Sequence, residues 1–195
     1  MGQIVAESPE AQAATAGGSG HILTLNAGSS SIKFALFVND AGGPGERVRG
    51  QVEGLGAEPR LTAVTPDGSD LAGDLAEGET VVDHADALGL ILRLLQARFP
   101  DATVSAVGHR VVHGGVDFAE PVRLDETVVA ALEGLVPLAP LHQPHNLAGV
   151  RAATQRFSDA VQIACFDTAF HRSHPWVNDT FALPRALYEE GIRRY

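Results

Sequence analysis

Between two short apolar segments, Ile22–Leu25 and Ile32–Val38, the chain reads Asn26-Ala-Gly-Ser-Ser-Ser-Ile-Lys33, a run that makes it double back. Ile32, Phe34 and Leu36 alternate with Ser31, Lys33 and Ala35, the period-2 pattern of a half-buried strand. The segment therefore reads as strand, tight Gly/Ser turn, strand. Gly28 lets a backbone approach a ligand closely, the three serines offer hydroxyls, and Lys33 shares a face with Ser31. That is a phosphate cradle built on a hairpin. It differs from the Walker loop, which needs a second Gly, a Gly-Lys-Ser/Thr ending and a following helix. The same residues also fit a Ser-rich β-turn with a solvated lysine.

An antiparallel start followed by helix–strand alternation predicts an α/β domain with a mixed sheet. Gly42 to Gly45 reads as a turn, and Arg47–Leu55 and Arg60–Thr65 as further strands. Asp83 and Asp125 are positioned to cap helices running to about Phe99 and Leu135, and a third helix is expected over Asn146–Phe157. Thr103–Val112 and Ala160–Phe166 read as buried strands, and the chain from Leu183 onward as helical. In domain terms, 1–20 is expected to be a flexible tail, 21–171 the main domain, and 172–195 the start of a second one.

With 195 residues, 45% of them hydrophobic and 19% charged, the chain is globular rather than disordered. A formal net charge of −10 argues against a nucleic-acid surface, which is normally basic. No stretch approaches the ~20 apolar residues of a membrane span. Residues 1–20 lack the basic and apolar regions of a secretory signal, and Ala6 stands where a myristoylation pattern wants Ser or Thr. A single cysteine, Cys165, excludes an intrachain disulfide and fits a reducing cytoplasm.

Three further segments carry chemistry. In Gly108-His-Arg-Val-Val-His-Gly-Gly115, Arg110 and Val112 share a strand face, so a guanidinium fork stands beside a small apolar group. A structural ion pair is the plainer reading of Arg110. Asp167 closes the apolar strand Val161–Phe166, where ligands gather in open α/β sheets; it also fits a turn cap. Leu138-Ala-Pro-Leu-His-Gln-Pro-His-Asn146 is stiff enough to hold Leu141 and His142 over a pocket, or is only a rigid connector. His84, His171 and His174 read as solvated or capping residues, and no histidine has zinc-site spacing.

Taken in order, the segments Asn26–Lys33, Gly108–Gly115, Leu138–His142 and Phe166-Asp-Thr-Ala-Phe-His171 resemble the signature blocks of the acetate and propionate kinase family. The resemblance covers residues 22 to 195. It implies the ribonuclease-H-like fold shared by sugar kinases, Hsp70 and actin, and reversible phosphoryl transfer from ATP to acetate with Mg2+. It places Asn26 near the metal, and Gly28, Ser29, Ser31 and Lys33 near the nucleotide phosphates. Arg110 would hold the carboxylate or phosphoryl group, Val112 and Leu141 would line the methyl pocket, Asp167 would be the catalytic acid, and His142 a phosphoryl-side donor. The family also implies a cytoplasmic homodimer acting on acetate or another short-chain carboxylate, with propionate as the alternative. Two departures stand out. Gln143 follows His142 where the family usually has Asn, and the sequence stops at Arg193-Arg-Tyr195, where the family continues into Gly-Phe-His-Gly-Thr-Ser-His. In the family, a second active-site Arg, the adenine pocket and a metal-side Glu follow that point. The expectation is therefore an amino-terminal piece of a longer kinase, inactive by itself, with a non-catalytic anion- or nucleotide-binding fragment as the alternative reading.

Overall fold

A computed structural model describes residues 20–195, so residues 1–19 of the expected tail lie outside it. The hairpin forms as its pattern requires: β1 (His21–Ala27) pairs antiparallel with β2 (Ser31–Asp40), with Asn26 opposite Lys33. Ile32, Phe34 and Leu36 are buried while Lys33 is exposed. β2 returns as β3 (Gly43–Glu53) through a tighter turn than the glycine run suggested, since Gly43, Pro44 and Gly45 already belong to the strand. Gly43 takes φ +99° there, a left-handed conformation that suits glycine, and Asp40 Oδ1 accepts the Gly42 N–H at 2.8 Å. β4 (Arg60–Val64) completes the antiparallel run.

α1 (His84–Arg98) starts at Asp83, whose carboxylate accepts the N–H groups of Ala85 and Asp86. β5 (Val104–Val111) lies parallel to β1, and β7 (Val161–Phe166) parallel to β5. Between them come β6 (Val122–Arg123), a two-residue edge strand antiparallel to β7, and α2 (Glu126–Glu133), capped by Asp125. α3 runs Gln143–Arg156. It begins three residues earlier than expected because Pro144 sits in its first turn, where a missing N–H costs nothing. The seven strands form one mixed sheet in the order β4-β3-β2-β1-β5-β7-β6.

One face of the sheet is dry. Leu23 and Leu25, Ile32, Phe34 and Leu36, and Val48 and Val52 pack against Leu88, Ile91, Leu94 and Leu95 of α1 and Ala152 and Ala153 of α3. A smaller cluster joins Val111, Ala164 and Phe166 to Leu132 of α2 and Leu147 of α3. α3 comes very close to the end of β1: a Cβ placed on Gly149 would stand 2.6 Å from that of Ala27. The opposite face carries Thr24, Asn26, Lys33, Gly108, Arg110 and Cys165 and is covered by no described helix.

Past β7 the chain makes a short 3-10 turn over Asp167–His171, then α4 (Trp176–Asp179) and α5 (Arg185–Glu189). The helix expected from Leu183 onward is thus a single turn or so. The last residues fold back, with the Arg194 N–H on the Asp179 carbonyl at 2.7 Å and the Tyr195 ring edge-on to His113 at 4.4 Å.

Candidate active site

The carboxyl ends of β1, β5 and β7 converge, as they do in parallel α/β sheets. β2 and β1 put Lys33 opposite Asn26, and β5 and β7 put Arg110 opposite Cys165. A direct bond joins the two pairs: Arg110 Nη1 donates to Asn26 Oδ1 at 3.2 Å. Lys33, Asn26, Arg110 and Cys165 therefore form one row across four strands, along an open groove of about 360 Å³.

Arg110 is the centre of the row. Its Nε donates to both carboxylate oxygens of Asp167, at 2.9 and 3.1 Å, and its Nη2 to Oδ2 at 2.6 Å. The structural ion pair is thus present, but in a setting that does not exhaust the guanidinium. Five N–H donors less these contacts leave one N–H on each terminal nitrogen for a ligand anion. The bond to Asp167 pushes the Arg110 pKa further up and locks it in the charged state. Behind it, His109 is buried with Nε2 at 2.8 Å from Gln162 Oε1, and burial lowers its pKa.

The Gly/Ser turn is held mainly through its carbonyls. Its carbonyls are held from the protein side: Ala27 by Asn146 Nδ2 at 2.7 Å, Gly28 by His84 Nε2 at 2.8 Å, Ser30 by the Leu55 N–H and Ser31 by the Gly28 N–H. The N–H groups of Ser29 and Ser30 meet no acceptor among the described residues. A turn with most of its carbonyls consumed and two successive amides free favours an anion such as phosphate.

The second half of the expected site is not brought together. Val112 is half-buried with its N–H on Asn146 Oδ1 at 2.9 Å, Leu141 is 76% exposed, and neither lines the groove along Arg110. His142 is exposed and makes no side-chain cap on α3. His84 corrects its sequence reading: it is buried, holds the turn, and stacks at 5.7 Å on His145. Asn146 and Gln143 escaped notice as functional positions. Gln143 is fully buried, bonding both the N–H and C=O of His113 and the Leu132 carbonyl, so the departure at this position serves as a staple. A signal existed: Gln143, Asn146 and Leu147 lie on one stripe with Val150 and Ala153, and His84 on one with Leu88 and Ile91.

Asn26 and Asp167 bring one amide oxygen and one carboxylate, and no group of three or more His, Cys, Asp or Glu side chains suited to a metal occurs among the described residues. Such a set fits Mg2+ only as an ion carrying phosphate and water ligands of its own. A second hollow, about 200 Å³ among Trp176, Phe181, Leu187 and Ile192, touches none of these groups.

The sequence profile of the acetokinase family matches residues 21–195. An acetate kinase of Methylocella silvestris is 49% identical over 182 residues, 89% of this chain and 45% of the relative. One from Rhizobium meliloti is 46% identical over 174 residues, with 89% and 44% covered. Among solved structures, acetate kinase of Porphyromonas gingivalis superposes with a TM-score of 0.76 at 33% identity, covering 90% of this chain and 44% of that one. A propionate kinase of Francisella tularensis gives 0.77 at 30% identity, with 90% and 44% covered. The chain spans less than half the length of these relatives. The order of its signature blocks, its sheet and these matches agree that it belongs to the acetokinase family.

Proposed function

We propose that this chain forms one wall of an acetate kinase site, which transfers a phosphoryl group reversibly from ATP to acetate to give acetyl phosphate and ADP. The observation that carries the reading is the row Lys33–Asn26–Arg110 with Asp167 bonded to the guanidinium and a free-amide turn beside it. Acetate is ionised at neutral pH, since such carboxyls titrate near ~4–5. It needs no base to become a nucleophile. The task is to bring two anions in line and to neutralise charge on the transferring group. Arg110 offers its remaining N–H groups to the carboxylate or the equatorial phosphoryl oxygens. Lys33 and the Ser29–Ser31 turn take the nucleotide phosphates. Asp167 orients Arg110 and, with Asn26, would hold Mg2+ through the ion's water ligands; the ion would supply charge neutralisation on the phosphates. In this reading Asp167 removes no proton, in contrast to the acid role implied by the resemblance. Val112 is the apolar wall beside the carboxylate, and Leu141 and His142 are assigned to the same pocket by the family resemblance alone. Residues 172–195 begin a second domain, and a cytoplasmic homodimer belongs to the same proposal; these rest on the family resemblance.

The test is a chimera in which residues 21–195 are joined to the complementary half of the Methylocella relative. It should form acetyl hydroxamate from ATP, Mg2+, acetate and hydroxylamine. Its ratio of kcat/KM for acetate over propionate gives the acyl preference, for which one methylene is worth ~1–3 kcal/mol. A folded chimera without turnover would overturn the assignment.

A further inference from the structure

We infer that Asn146 is a positioning residue for the phosphate-binding turn: its buried side-chain amide bridges Ala27 and Val112 and holds the turn in register with Arg110. The inference rests on the reading of Ser29–Ser31 as the phosphate site. β1 and β5 pair in parallel only as far as Leu25 and His109. Beyond that rung the Asn146 amide takes over the ladder, its Nδ2 donating to the Ala27 carbonyl at 2.7 Å and its Oδ1 accepting the Val112 N–H at 2.9 Å. A side-chain amide has the donor and acceptor of a peptide unit, so the two strand ends stay coupled where they no longer touch.

The geometry gives this bridge leverage over the site. Ala27 lies between Asn26, bonded to Arg110, and Gly28, bonded to His84. Val112 lies two residues past Arg110 itself. On the open face Arg110 joins Asn26; on the helix face Asn146 joins Ala27, one residue past Asn26, to Val112, two past Arg110. The two cross-links fix the separation of the turn and the guanidinium, the dimension that phosphoryl transfer depends on. His84, from α1, holds the adjacent carbonyl, so two helices grip consecutive peptide units. The close contact of Gly149 with Ala27 leaves α3 no room to drift. Asn146 itself is 5% exposed and reaches no ligand surface, so its action passes through the backbone.

Inorganic tripolyphosphate titrated into the whole chain, followed by amide NMR shifts, tests the inference on folded molecules alone. The wild-type chain should show saturating shifts at Gly28 to Ser31. Asn146→Asp keeps the shape and the acceptor for Val112 but cannot donate to Ala27; Asn146→Ala loses both bonds. Each should weaken tripolyphosphate binding about tenfold or more and speed amide exchange in the turn. If Asn146→Ala does not fold, Asn146→Asp carries the test. Val48→Ala, in the core far from the turn, should lower the thermal midpoint and leave the affinity of the folded chain unchanged. Equal affinity in wild type and Asn146→Asp would overturn the positioning role and leave the phosphate site standing. Absence of turn shifts in the wild-type chain would overturn both.

Discussion

Arg110 carries four bonds to two partners, and this decides what its loss should do. Truncation to Ala removes the proposed anion clamp and strands the Asp167 carboxylate beside Asn26. In the active chimera, Arg110→Ala should lower kcat/KM for acetate on the order of 10³-fold, the range seen when an arginine stabilising phosphoryl transfer is lost. Arg110→Lys should recover little, because an ammonium has no planar fork to serve Asp167, Asn26 and an anion together. Unchanged kcat/KM for acetate in either variant would remove Arg110 from the site. Asp167 offers a second contrast. If it acts on Mg2+ and on Arg110, Asp167→Asn lowers turnover and makes the residual rate depend on Mg2+ or Mn2+ concentration. A pH–rate profile that loses its acidic limb in the mutant without metal dependence would assign Asp167 to proton transfer.

At the scale of elements, the strands were legible because alternation is a local signal: Ile32, Phe34 and Leu36 announce their face without help from the rest of the chain. Asp83 and Asp125 likewise marked helix starts through side chains that reach only two or three residues on. β6 was not legible, since two residues carry no period and pairing with β7 alone makes Val122–Arg123 a strand. The bonds of His84, Asn146 and Gln143 to residues 56, 119 and 30 positions away were equally invisible, being set by how α1 and α3 dock. Arg110, Asp167 and Asn26 could be named from their segments, but their mutual bonding could not. The same elements bury two histidines at the site. His109 is pushed below its usual pKa by burial, and His113 by burial and the Arg172 charge, while His113 Nδ1 accepts the Gly115 N–H at 2.9 Å. A lowered folded pKa means that the unfolded chain binds protons first. Stability from this source is therefore full above the unfolded value of 6.5 and lost as pH falls through the folded values. The urea midpoint should be lower at about pH 5.5 than at about pH 7.5, and His109→Gln should flatten the difference; a midpoint indifferent to pH in the wild type would contradict this.

At the scale of the whole molecule, the site has one side. The row from Lys33 to Arg110 lies on a sheet face that no described helix covers, and the groove along it is open. The chain matches only 44% of the Porphyromonas and Francisella structures to which it is similar. Phosphoryl transfer gains its rate from donors that converge on the transferring group from both sides and exclude water between them. One wall can hold an anion, because free amides and a positive fork suffice for that. It cannot align acetate against a nucleotide, because none of the described residues opposes Arg110 across the groove. The chain by itself should therefore show tripolyphosphate or nucleotide binding no tighter than the millimolar range, and no acetyl hydroxamate above background with ATP, Mg2+ and acetate. Turnover of about 1 per second or faster, the ordinary enzyme range, from the purified 195-residue chain would show that a single wall is enough and that the geometry of Arg110, Asp167 and the turn is complete as it stands.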